Sequence, residues 1–142
     1  MPMPVEWYDE AQSIIKVTIQ PNSTWDDYYE AVRWIEAEIT KVDHVVDMIF
    51  YEESSMPKGN PMPHLKWGTN KIINLPNSGH TIITGATSYT NAFTRLIMTS
   101  LGNLMTKTIS PYTDKKLVFL PSMEEALAFI RKERKKSEAK EG

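Results

Sequence analysis

Along almost the whole chain, segments with a two-residue apolar period alternate with segments of helical period. That alternation constrains the fold more than any other feature. In "SIIKVTI" (13–19), Ile15, Val17 and Ile19 alternate with Ile14, Lys16 and Thr18, which is the pattern of a half-buried strand. With "VEWYD" before it and the short "EAQ" between, it predicts a hairpin. "PNS" stops the second strand, and Ser23 is the expected helix N-cap with Asp26 three residues on. In "TWDDYYEAVRWIEAEIT", Tyr28, Val32, Ile35 and Ile39 fall on one stripe. "HVVDMIFY" reads as a strand with Val46, Met48 and Phe50 on one face and Val45, Asp47, Ile49 and Tyr51 on the other.

The pattern continues through the second half. "PHLKWGTNKIINL" predicts a short helix with Pro63 at its first position, and "HTIITGA" a strand. "SYTNAFTRLIMTSLGNLMTK" predicts a helix, "KKLVFL" a strand and "PSMEEALAFIRKERKK" a last helix. Ser122 and Glu125 cap that helix, and Ala126, Leu127, Phe129 and Ile130 form its apolar face. The order is β-β-α-β-α-β-α-β-α, an α/β class with a mostly parallel sheet and an antiparallel first edge strand. Lys16, Thr18 and Asp47 interrupt strands that a doubly covered sheet would keep apolar. Helices are therefore expected mainly on one face, with the other partly open.

The 142 residues fit one domain, expected over 1–134, with a charged tail at 135–142. The absence of cysteine excludes disulfides, thiolate metal sites and a cysteine nucleophile. A formal net charge of -2 gives no general field toward nucleic acid. No apolar run approaches the ~20 residues of a membrane span, and "MPMPVEWYDE" lacks the regions of a signal peptide. A cytoplasmic location is expected. The ending "RKERKKSEAKEG" holds six of the sixteen bases and reads as a solvated helix tail, with an acidic-partner contact as the alternative.

The hairpin feeding "TWDDYYEAVRWIEAEI", the strand "VVDMIFYEES" and the ending "KLVFLPSMEEALAFI" together resemble the STAS domains, the SpoIIAA-like anti-sigma-factor antagonist fold. The resemblance spans residues ~4 to ~134 and is similar to the divergent, stand-alone bacterial members. It implies a right-handed superhelix of βα units with strands in sequential order. It also implies a non-enzymatic signalling module that works by protein binding. In signalling members a serine in a D-S-x-G motif at the start of the second helix is phosphorylated. The corresponding "PKGNPMP" here holds no serine or threonine, so that switch does not carry over. Ser54 and Ser55 fall earlier, in the loop. Phosphate there would face Glu52 and Glu53, with Lys58 as the only local base.

No cofactor is expected. Glu52 and Glu53 are adjacent on an extended chain and point apart, so they do not suggest an acid/base pair. His44, His64 and His80 show no metal-ligand spacing. "TGATSYTN" (84–91) runs from a strand end to a helix start, where open α/β sheets tend to bind ligands. Gly85 would permit close backbone approach, and Thr87, Ser88, Thr90 and Asn91 would supply polar groups. With Ser54, Ser55 and Lys58 of the neighbouring loop they make a candidate pocket for a small polar, anionic or lipid-like ligand. The alternative is that one of these residues is simply a helix cap. Trp7, Tyr8, Trp25 and Trp67 fall at element ends, on loops or on outer faces. The outer sheet face mixes Ile14, Ile49 and Tyr51 with Lys16, Thr18 and Asp47. That face is expected to be covered by a second copy in a homodimer, or by the chain's own N-terminal segment around Trp7.

Overall fold

The computed structural model describes residues 3–53, 57–60, 62–85 and 117–141, with side chains through 136. In chain order its elements are β1 (Val5–Trp7), β2 (Ile14–Ile19), α1 (Trp25–Ile39), β3 (Val46–Glu52), α2 (Met62–Ile73), β4 (Ser78–Gly85), β5 (Leu117–Leu120) and α3 (Met123–Glu141). The strands lie in sequential order, β1-β2-β3-β4-β5. β1 runs antiparallel to β2, and the remaining neighbours are parallel. The expected α/β class and antiparallel edge strand are present. The helix expected over 88–107 lies outside the described residues.

The hairpin closes on Asp9. Its carboxylate accepts from the backbone N–H of Ser13 (2.8 Å) and of Ile14 (3.0 Å), and from the Ser13 hydroxyl. Burial pushes the Asp9 carboxyl up, but these hydrogen bonds outweigh it and hold it below its ordinary value. At the start of α1 the cap is Thr24 rather than Ser23. Thr24 Oγ1 accepts from Asp27 N (3.2 Å), and Asp27 Oδ2 accepts from Thr24 N (2.9 Å). A full capping box thus forms one residue later than expected. Helix α2 begins at Met62, whose N–H donates to Asn60 Oδ1 (3.1 Å), so Pro63 is its second residue. In α3 the expected cap holds, with Glu125 N donating to Ser122 Oγ at 3.2 Å.

Two apolar cores form, one on each face. On the first, Tyr28, Val32, Ile35 and Ile39 of α1 and Leu65 and Ile72 of α2 pack on Ile15, Val17, Met48, Phe50 and Ile83. On the second, Ala126 and Ile130 of α3 pack on Ile14, Ile49 and Ile82. The outer face is therefore not left open over Ile14, Asp47 and Ile49, all of which are buried. Neither is it hidden by the N-terminal segment. Register pairs Trp7 with Ile15 and Val5 with Val17, which puts both on the α1 side. There the Trp7 ring meets Trp34 at 6.2 Å, and its Nε1 donates to Glu38 Oε1 at 3.5 Å. Only Lys16, Thr18 and Tyr51 of the expected patch stay partly exposed, and Lys16 Nζ lies 5.0 Å over the Tyr51 ring.

Candidate functional site: an aromatic face across two helices

Four rings from α1 and α2 meet on the molecular surface. Trp25 and Tyr29 are one helical turn apart on α1, and His64 and Trp67 are three apart on α2, so each pair shares a helix face. Trp25 and His64 stack, with centroids 4.5 Å apart and planes at 13°. The Tyr29 hydroxyl hydrogen-bonds His64 Nδ1. Tyr29 then meets Trp67 edge-on at 4.6 Å. All four side chains are half-buried. Trp25 Nε1 donates to the carbonyl of Lys58 at 3.0 Å, which ties the loop after β3 to the start of α1.

Beneath this face the two helices approach closely. Gly68 of α2 sits against the Tyr28 ring, and a Cβ there would lie 2.6 Å from Cζ. Burial pushes the Tyr28 hydroxyl well above its ordinary value, and Tyr29 adds to the effect. A small apolar cavity of ≈ 30 Å³ lies alongside, walled by Trp25, Tyr28, Phe50, Pro57, Leu65 and Ile83 among others. It has room for about one water. A wider, open groove of ≈ 450 Å³ follows α1 and α2 past Glu36, Trp67, Asn70, Lys71 and Asn74. Lys71 Nζ stands 5.7 Å over the Trp67 ring on that side.

Of the residues expected to bind a ligand, Lys58 and Gly85 are described. Lys58 is exposed beside Trp25. Gly85 ends β4 at φ +142 and is buried against Glu52, where a Cβ would lie 2.8 Å from Glu52 Cβ. Its freedom of conformation thus serves strand packing at the C-terminal edge of the sheet. The small cavity is lined by Pro57 of the first loop but by neither Lys58 nor Gly85. Ser54, Ser55, Thr87, Ser88, Thr90 and Asn91 lie outside the described residues. The histidines are far apart in role: His44 Nε2 meets the Gln12 carbonyl at 2.7 Å, His64 belongs to the aromatic face, and His80 packs edge-on against Phe129 at 5.6 Å.

The sequence singles out Trp25 and Trp67, brings in His64 only as a histidine without metal-ligand spacing, and does not single out Tyr29. The signal was present as aromatic spacings of four on α1 and three on α2. What it lacked was the pairing of two helices 35 residues apart. No family model, no curated protein and no solved structure matches the chain.

Proposed function

We propose that this chain is a STAS-like regulatory module without catalysis of its own, which acts by binding protein. The partner is another protein or a second copy of the chain. The observation that carries this reading is the joined, half-exposed row of Trp25, His64, Tyr29 and Trp67. Tryptophan and tyrosine held by neighbours lose little freedom on binding and bury large area, which is why they anchor protein interfaces. The sequential strand order with an antiparallel edge agrees with the fold that the resemblance implies. In this reading the module is cytoplasmic and bacterial, and it lacks the family's serine switch.

Affinity capture from the native host, read by mass spectrometry, tests the proposal when wild type is compared with Trp67→Glu. A protein retained by wild type and lost from the variant supports it. Equal capture by both removes the aromatic face as the binding surface. Light scattering across concentrations tests whether the partner is a second copy. Ser54→Asp and Ser55→Asp should leave partner binding within a few-fold of wild type. A hundredfold loss would restore a phosphate switch.

The second reading is a sensor that binds a small polar, anionic or lipid-like ligand at the strand C-terminal loops. The apolar cavity that Pro57 of the first of these loops helps to wall is the observation that favours it. A small molecule recovered with wild type and no protein would select it.

A further inference from the structure

Helical spacing sets Arg131 and Lys135 four residues apart, and Lys132 and Lys136 likewise, so two short basic rows run side by side along α3. Each row rises ~6 Å. All four residues are exposed. The two residues between them are used otherwise: Glu133 is buried and Arg134 pairs with Asp47. Lys136 lies 3.4 Å from Glu133, while Arg131, Lys132 and Lys135 form no ion pair among the described residues. Setting these four aside from the 16 bases leaves 12 against 18 acids, a formal net charge of −6 for the rest of the chain. Helix α3 runs to Glu141, so the four charges stand within its length.

We infer that this basic stripe is a docking surface for an acidic segment of a partner protein. Charge complementarity selects an anion, and three features select the kind. The stripe is only about one turn long, too short for the 6–10 phosphate contacts of a typical nucleic-acid site. The acidic remainder of the chain would repel an extended polyanion. The apolar side of α3 is committed to Ile14, Ile49 and Ile82, so the helix has no face to insert into a lipid surface. A glutamate-bearing helix with i,i+4 spacing matches both rows, and Arg131 can take a carboxylate through two nitrogens. The stripe is separate from the aromatic face, and the inference does not depend on the function assigned there.

The test uses the full chain and a fluorescein-labelled peptide helix carrying glutamates at i and i+4, read by anisotropy. Binding should weaken at least about tenfold from low to high salt. It should vanish in R131E/K132E/K135E/K136E, with circular dichroism reporting whether α3 survives loss of the Lys136–Glu133 pair. Should that variant unfold, R131Q/K132Q/K135Q/K136Q takes its place with the same expected loss. Duplex DNA and phosphatidylserine vesicles form the other arms. Peptide binding that the substitutions leave unchanged overturns the inference. So does the absence of peptide binding, or tighter binding to DNA or vesicles than to the peptide.

Discussion

Arg134 of α3 and Asp47 of β3 close an ion pair on the outer sheet face, with Nη2 2.9 Å from Oδ2. Arg134 Nε lies 3.2 Å from the same oxygen, and Nη2 also donates to the Ser13 carbonyl at 2.9 Å. Asp47 Oδ1 accepts the His80 N–H at 2.7 Å. Asp47, a residue only 1% exposed, thereby has both carboxylate oxygens compensated. The same contacts fix the register of α3 on the sheet. Arg134→Ala should cost about 2–4 kcal/mol in urea denaturation, because the carboxylate stays buried without its cation. Replacing both residues by leucine should recover only part of that loss, because the His80 N–H and the Ser13 carbonyl then lose these hydrogen bonds. A single-variant cost below about 1 kcal/mol would show that the pair does not hold the helix.

Gly68 is required by Tyr28 rather than by its own backbone. Alanine normally gains about 1 kcal/mol over glycine inside a helix. Here Gly68→Ala should instead destabilise by about 1–3 kcal/mol, because the new methyl meets the Tyr28 ring. Tyr28→Phe removes the nearest atom and should relieve part of that cost, which a double-mutant cycle would read as coupling. Additive effects would mean the two helices are spaced more widely.

Gly85→Ala should be costlier, because it combines a φ of +142 with contact to Glu52. A loss of about 2–4 kcal/mol is expected in thermal or urea unfolding. A neutral outcome would mean that β4 ends differently.

Asp9 sets an acid limb of stability. Its carboxyl is depressed when folded, so its contribution is present above the unfolded value and lost as pH falls through the folded one. The difference in urea midpoint between wild type and Asp9→Asn should be flat above about pH 5 and shrink below about pH 4. Partial solvent exposure keeps it under about 1 kcal/mol. A difference that grows on acidification would contradict the hydrogen-bonding scheme.

Ile49→Lys distinguishes a covered face from a dimer surface. Ile49 is fully buried beneath α3. The substitution should therefore unfold the chain or cost at least about 3 kcal/mol. Folded monomers released from a dimer would instead show that α3 does not cover this face.

The α1 stripe of Tyr28, Val32, Ile35 and Ile39, the two faces of β3 and the antiparallel first strand were all legible from the residues. Periodicity and turn chemistry are local properties, readable within one segment. Cap positions were legible to within one residue, since Ser23 and Thr24 are both good caps and only packing chose between them. The candidate site was legible far less well. Lys58 and Gly85 stood out by type and place, whereas the aromatic face exists only because α1 and α2 lie side by side. Asp47 looked like a mark of solvent on the outer face. It is buried because Arg134, 87 residues away, neutralises it. A sequence shows which residues share a face of each element. Which helix covers that face depends on connections and charge pairs between distant segments, and these exist only once the chain has folded.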